Sequence, residues 1–327
     1  MTCRYYITGC TNPYQNLALE EVLLRSTKPE ETLLYLWQND HTVVIGRNQD
    51  AWRECRVEKL QQEGGRLARR LSGGGAVYHD MGNQNFTFFS RRPQYSVEKN
   101  TEVIRLAAAS FGIQAERSGR NDILAEGRKF SGNAFYKSGP YCYHHGTVLV
   151  NSDMGRLGSY LNPSPEKLAG KGVASVQARV VNLSELVPGL TAEAMRAALV
   201  KALGQVCGSA PVRLEEDEID KKEVERLQKH YEAEEWRLGV PFAYTTHFAA
   251  RLGFGEIDVQ LLVEKGRVRQ AKVYSDAMDS LWVQAVEKAL AGAGFTPEGM
   301  KEALGRAEGE APQNTAELAR WLPGQMV

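Results

Sequence analysis

The sequence predicts an α+β fold in two domains, a large one over residues 1–246 and a small α/β one over 247–327. Three observations predict it. The chain has 327 residues, more than one compact core usually serves. Short apolar runs bounded by turn residues, which read as strands, lie among stretches of helical period. After a linker at 241–248 come the runs 256–263 and 268–274, joined by Glu264-Lys265-Gly266-Arg267, a strong hairpin signal.

Taken in order, residues 15–26 carry Leu17, Leu19, Val22, Leu23 and Leu24 at helical spacing, with Glu20 and Glu21 opposite or beside that face. Asn12-Pro13 turns the chain into this helix. Residues 32–38 and 42–46, around Asn39-Asp40, read as two buried strands of a sheet. A short helix over 57–62 stops at Gly64-Gly65. Strands are expected at 66–71, 76–79 and 85–89, then a helix over 98–111 with Val103, Ile104, Ala107, Ala108 and Phe111 inward. The polar turn Ser118-Gly119-Arg120-Asn121-Asp122 leads to a hairpin turn at Ala125-Glu126-Gly127-Arg128, and 141–151 reads as a strand. Residues 162–182 lack periodic apolar positions, and a long segment of that kind within a domain is usually functional or disordered. Further helices are expected at 192–207, 224–236, 281–291, 297–304 and 315–322.

Lys plus Arg and Asp plus Glu number 40 each, so the formal net charge is zero, which argues against a general nucleic-acid binder. The five cysteines (Cys3, Cys10, Cys55, Cys142, Cys207) are odd in number and contain no CxxC pair. They read as a reduced set without disulfides or zinc. With no signal-peptide pattern and no apolar run of membrane-spanning length, the expected setting is soluble and cytoplasmic, away from membranes.

The chemistry concentrates at Arg69-Arg70-Leu71-Ser72-Gly73-Gly74-Gly75-Ala76-Val77-Tyr78-His79-Asp80. Glycine lets backbone N–H groups approach an anion, and arginine offers a fork of donors for phosphate or carboxylate oxygens. The flanking strands put this loop at the end of a sheet, unlike the helix-opening glycines of a dinucleotide site, and no Gly-Lys-Ser/Thr follows as in a Walker loop.

That stretch does not stand alone. With Gly82-Asn83, Gly119-Arg120-Asn121-Asp122, Lys129-x-Ser131-Gly132-x-Ala134, His144-His145-Gly146-Thr147, Lys171-Gly172, Ser175, Arg179-Val180 and Asn182-Leu183, it resembles lipoate–protein ligases in order and spacing along nearly the whole chain. The resemblance implies a catalytic domain like those of biotin ligases and class II aminoacyl-tRNA synthetases, with mixed and antiparallel sheets, and a small C-terminal domain that moves relative to it. It implies a two-step activity: lipoate and ATP give lipoyl-adenylate and pyrophosphate, and the adenylate then acylates one lysine of a carrier. The implied ligands are ATP, Mg²⁺ and lipoate. The implied partners are the lipoyl domains of 2-oxoacid dehydrogenase E2 subunits and the glycine cleavage H protein.

Forming an acyl-adenylate brings a carboxylate to a triphosphate, so the site must offset like charge and stabilise what develops at the α-phosphorus. Lys129 is the expected catalytic residue, its ammonium lying between acyl carbonyl and α-phosphate. The resemblance makes Arg70 a phosphate ligand; Arg69 is either a second one or a structural ion-pair residue. Gly73, Gly74, Gly75, Ala76, Val77 and Tyr78 are expected to line the nucleotide site, with Asn83 and Asp122 as contacts to ribose, adenine or magnesium. No protein metal site is expected; magnesium arrives with ATP. Leu17, Val44, Val77 and Phe88 are candidates for a hydrophobic slot, and 162–182 for a lid bearing Lys171 and Arg179. Adjacent histidines on a strand face opposite ways, so His144 and His145 read as supporting residues. The alternatives are an acyltransferase using preformed lipoyl-adenylate or a Cys142 thioester, and a silent lipoate- or nucleotide-binding protein.

Overall fold

The computed structural model describes residues 2–119, 121–162, 179–307 and 311–326. In its N-terminal body lie strands β1 (Thr2–Ile7), β2 (Glu31–Trp37), β3 (Thr42–Ile45), β4 (Arg66–Arg69), β5 (Val77–His79), β6 (Asn83–Arg91), β7 (Ala115–Ser118), β8 (Asp122–Ala125), β9 (Arg128–Ser138), β10 (Tyr141–Leu149) and β11 (Val212–Arg213). Eight of them form a mixed sheet in the order β11-β1-β2-β6-β10-β9-β8-β7, while β4-β3-β5 form a separate small sheet. β1 pairs in parallel with β2 and β11, and the other neighbours in the large sheet are antiparallel.

Helices α1 (Pro13–Ser26) and α4 (Lys221–Glu232) cover one face of the large sheet, and α2 (Val97–Ala109) and α3 (Ala192–Cys207) cover the other. β2 shows why its sequence is apolar from Leu33 to Trp37. Alternation sends Leu33, Tyr35 and Trp37 into the core under α1, and Leu34 and Leu36 into the core under α2 and α3. A strand buried on both faces needs apolar side chains at every position. α1 begins at Asn12, whose side chain accepts from the Tyr14 N–H, with Pro13 preset for the first turn.

Several expectations need correction. β2 and β3 belong to different sheets, because the chain turns sharply at Asn39-Asp40-His41, where His41 has φ 42°. Glu20 and Glu21 are buried: Glu20 against the sheet, where it accepts from the Thr87 hydroxyl, and Glu21 under α4, where it accepts from the Tyr231 hydroxyl and pairs with Arg25. β1 was not anticipated, and with it went the expectation of unpaired cysteines: Cys3 on β1 forms a disulfide with Cys207 at the end of α3, 204 residues away. The cysteine count therefore carries no argument about compartment. Of the loop expected at 162–182, residues 163–178, with Lys171 and Ser175, lie outside the described residues, as does Arg120.

The C-terminal residues build their own core around Ile257, Val259, Leu261, Trp282, Val286, Met300 and Leu318. Strands β12 (Thr246–Leu252), β13 (Gly255–Glu264) and β14 (Arg267–Ser275) form an antiparallel sheet with helices α5 (Ser280–Leu290), α6 (Pro297–Gly305) and α7 (Pro312–Trp321). The expected hairpin is β13–β14; β12, placed partly in the expected linker, is the added strand. No helix among the described residues is long and apolar enough to cross a membrane.

Candidate active site

The glycine loop joins β4 to β5 at the edge of the small sheet, facing β9 and β10 of the large one. Between them is a cavity of about 140 Å³. Arg70, Gly74, Gly75, Ala76 and Val77 form one wall; Lys129, Gly132, Asn133, Ala134, His145 and Thr147 form the other; Leu17, Trp37 and Val44 supply an apolar end. Two larger clefts border the C-terminal unit, but neither contains both Lys129 and the glycine loop.

Lys129 enters at the start of β9. Its backbone is fixed by segment 179–181, donating to the Arg179 carbonyl at 2.7 Å and accepting from the Val181 N–H at 2.9 Å. Its ammonium lies 2.7 Å from Asp122 Oδ1, with the Lys129 side chain 34% exposed. Gly132 makes room for it: a Cβ there would lie 2.9 Å from Lys129 Nζ and 3.0 Å from Cε. Opposite, Gly74 adopts φ 85°, a left-handed conformation that glycine tolerates, and Gly75 has open space where a Cβ would be.

Both arginines are buried, and their donors hold backbone. Arg70 donates from Nε to Ser72 Oγ at 3.0 Å, from Nη1 to the Val44 carbonyl, and from Nη2 to the carbonyls of Gly73 and Gly75 at 2.8 Å each. It thus draws the loop around its own charge. Arg69 faces away, donating to the carbonyls of Gly46, Arg47, Gln49, Trp236 and Arg237. Its recorded partners among the described residues are carbonyls and not the carboxylate that the expected ion pair needs. Burial pushes each guanidinium down to about 10, which leaves both charged at neutral pH.

Some expected residues are elsewhere. Tyr78 alternates away from Val77 and packs against His41 and Tyr160. Gly73 is covered by the C-terminal unit, where a Cβ would meet the Ala277 carbonyl oxygen at 2.0 Å. Asn83 is fully buried beside the cavity wall, donating to Asn85 Oδ1, and Asn85 is the residue that reaches the cavity. Phe88 lies in the core under α2 and α3, whereas Leu17, Val44 and Val77 do line the cavity. Cys142 has no exposed surface and does not line the cavity, so an acyl group has no route to its sulfur. His144 and His145 face opposite sides as expected. His144 sits among Phe86, Phe88 and Phe135, while His145 faces the cavity. Burial holds His144 and His79 neutral, each pushed down to about 3. No group of three His, Cys, Asp or Glu among the described residues is arranged to hold a metal ion.

Sequence reasoning named Asn121 only as part of the Asn121-Asp122 turn and missed its pairing: its Nδ2 donates to the Asn133 carbonyl, Asn133 Nδ2 donates to the Asn121 carbonyl, and Asn121 lines the cavity. It also missed the C-terminal segment 275–280. The Ala277 carbonyl accepts from the Gly74 N–H at 3.3 Å, and the Ser280 hydroxyl donates to the Leu71 carbonyl at 2.7 Å.

Known proteins resemble this chain in sequence and in fold. Residues 12–204 match the family described as Lipoyl protein ligase A/B catalytic domain, and 242–322 match Bacterial lipoate protein ligase C-terminus. A Lipoate-protein ligase A from Psychrobacter cryohalolentis is 37% identical, over 100% of this chain and 99% of its own. The structure of P. falciparum LipL1 in complex with lipoate superposes with TM-score 0.88 at 26% identity, over 98% of this chain and 99% of that one. A lipoate-protein ligase A bound with ATP gives TM-score 0.62 at 25% identity, over 74% of this chain and all of that one. By both its domain matches and its full-length relatives, the chain belongs to the lipoate–protein ligase family.

Proposed function

We propose that the cavity between the glycine loop and β9 is where lipoate and ATP meet, with Lys129 between their reacting groups. The family's activity, ATP-dependent attachment of lipoate to protein, is the activity of this chain. The observation that carries the residue assignment is the Lys129 ammonium facing Gly74 and Gly75 across one cavity that has an apolar end.

The apolar end, at Leu17, Trp37 and Val44, accepts the acyl chain and its ring. The carboxylate then points back toward Lys129. The glycine loop offers backbone to the phosphates, with the Arg70 charge directly behind it. Lys129 spans the two: its ammonium offsets the repulsion between carboxylate and α-phosphate, then stabilises the charge that grows as one carboxylate oxygen attacks phosphorus and pyrophosphate leaves. In the second step the same cation polarises the acyl carbonyl for the carrier lysine amine, and AMP leaves. Asp122 holds the ammonium on the cavity side until substrate oxygens compete for it. Arg70 acts mainly as the former of the loop, because its donors are engaged with loop carbonyls.

Mg²⁺ would enter with ATP and offset the charge of its phosphates, with Asp122 as the carboxylate named for contact with it. The carriers are lipoyl domains of 2-oxoacid dehydrogenase E2 subunits and the glycine cleavage H protein, and the setting is the cytoplasm, where ATP is supplied. The domain boundary falls near residue 246, supported by the separate core that begins at Phe248. The test is lipoate-dependent ATP–pyrophosphate exchange, followed by mass measurement of a lipoyl domain incubated with protein, lipoate and MgATP. Exchange together with a lipoyl mass increment supports the reading. Exchange without acylation removes the carriers named, and no exchange removes the adenylate.

A further inference from the structure

Lys129 and its partner carboxylate stand on opposite sides of an irregularity in the sheet. β8 and β9 pair Asp122 with Gly132 and Ile123 with Ser131, then shift register, so that Leu124 faces Lys129 and Phe130 has no partner in the ladder. Such a bulge bends the strand and re-aims the side chains beyond it. The ladder alone therefore does not fix Asp122 relative to Lys129. The lysine end is held by segment 179–181. The carboxylate end needs a tie of its own.

Asn133 supplies that tie. Its backbone N–H and its Nδ2 both donate to the Asn121 carbonyl, at 2.9 and 3.0 Å, and its own carbonyl accepts from Asn121 Nδ2 at 2.9 Å. Asn121 directly precedes Asp122, so these bonds anchor the turn that carries the carboxylate. A carbonyl only accepts, so Asn133 Nδ2 must face Asn121, which turns Oδ1 toward His144. There Oδ1 accepts from His144 Nε2 at 2.8 Å. The other ring nitrogen, Nδ1, has no hydrogen-bond partner among the described residues. Phenylalanine would pack as well among Phe86, Phe88 and Phe135; what the imidazole adds is a donor for this amide. Gly146 leaves the amide its room, since a Cβ there would lie 2.7 Å from the Gly132 carbonyl oxygen and 2.9 Å from Asn133 Oδ1.

We propose that Asn133 is a positioning residue for adenylate formation: its amide, held between His144 and the Asn121 carbonyl, fixes the Asn121-Asp122 turn and, through Asp122, the Lys129 ammonium. Without the amide, the turn keeps only backbone and Asn121 side-chain bonds to β9, and the 2.7 Å pair of Asp122 with Lys129 loses its fixed partner position. The apolar end at Leu17, Trp37 and Val44 takes no part in these bonds.

The proposal rests on the adenylate-forming reading: no exchange by wild type rejects that reading, whereas exchange that the variants leave unaltered rejects the proposal alone. Lipoate-dependent ATP–pyrophosphate exchange is measured for wild type, Asn133→Ala, Asp122→Asn and the double variant, with a thermal melt of each. Each single variant is expected to lose about tenfold in kcat, with KM for lipoate within about threefold of wild type. The double variant is expected to lose no more than about threefold beyond the more impaired single, because Asn133 acts through Asp122, whereas independent structural damage multiplies. Multiplicative losses, wild-type kcat in either single variant, or a defect confined to KM for lipoate would overturn the proposal. If Asn133→Ala does not fold, His144→Phe decides, since it keeps a ring among rings and removes the donor to Oδ1. A loss of about threefold in kcat that vanishes in the Asp122→Asn background supports the proposal. Wild-type kcat, or the same loss in both backgrounds, overturns it.

Discussion

Gly132→Ala separates the site's geometry from the fold's stability. The added Cβ would lie 2.9 Å from Lys129 Nζ and 3.0 Å from Cε, and next nearest is Thr147 Oγ1 at 3.8 Å, an ordinary contact. The close contacts are the far end of a flexible side chain, so β9 itself need not move. The lysine must, by roughly half an ångström or more, to regain normal van der Waals separation. Its pairing with Asp122 at 2.7 Å then lengthens or breaks. That pair is about one-third exposed at both partners, so its loss is expected to cost less than about 1 kcal/mol of stability. Catalysis is more sensitive, because displacing a reacting group by about 1 Å costs on the order of a hundredfold. The expected result is a near wild-type melting temperature with a ten- to hundredfold slower lipoate-dependent ATP–pyrophosphate exchange, to about the accuracy of that scaling. Gly75→Ala, where a Cβ meets nothing within 4 Å in the substrate-free protein, is the companion variant for stability. Wild-type exchange by Gly132→Ala would refute the claim that the placement of Lys129 limits the reaction.

Two further outcomes follow from buried groups. Cys142→Ala is expected to leave carrier acylation within about twofold of wild type while lowering stability by roughly 1 kcal/mol, as for a small core truncation. Abolished acylation by a folded Cys142→Ala protein would revive the thioester route. Acid should destabilise the fold through His79 and His144, whose folded values of about 3 lie below the unfolded value. Between those values the unfolded chain binds more protons, so stability is full above about 6.5 and is lost as pH falls toward about 3. Thermal melts from pH 7 to pH 4 check this, and a His144→Gln variant should show a shallower decline than wild type.

Much of the fold was legible because its signals are local. α1, α3 and the β13–β14 hairpin follow directly from apolar period and turn residues. Sheet membership was not, since it depends on partners distant in sequence: β2 and β3 look alike as strings, and only the turn at His41 sends them to different sheets. β1 escaped notice because Thr2–Ile7 includes Arg4, which pairs with Glu31 and Glu218 at the sheet's edge. Glu20 and Glu21 read as lying opposite or beside the apolar face because nothing in residues 15–26 reveals that Glu20 meets Thr87 and His145 of the sheet or that α4 covers Glu21. At the site, the residue types were legible and their facing was only partly so. Val77 reaches the cavity and Tyr78 does not, as strand alternation requires, although a motif read as one run gives both the same role. Arg70 was read as a phosphate ligand, and its use as the loop's internal brace depends on the Gly73 and Gly75 carbonyls turning toward it, a backbone fact invisible in the residue types. The contact of Ala277 with Gly74 joins positions two hundred residues apart, and no local pattern marks it.

The central claim is that one ammonium, on Lys129, serves the carboxylate and the α-phosphate together. Lipoate-dependent ATP–pyrophosphate exchange by Lys129→Met, beside wild type and with a thermal melt of each, tests it most directly. The account expects exchange to fall by at least about a hundredfold, the usual loss of a single preorganised charge contact, with a melting temperature close to wild type because the side chain is 34% exposed. Exchange within about threefold of wild type by the folded variant would contradict the account and place the reacting groups elsewhere.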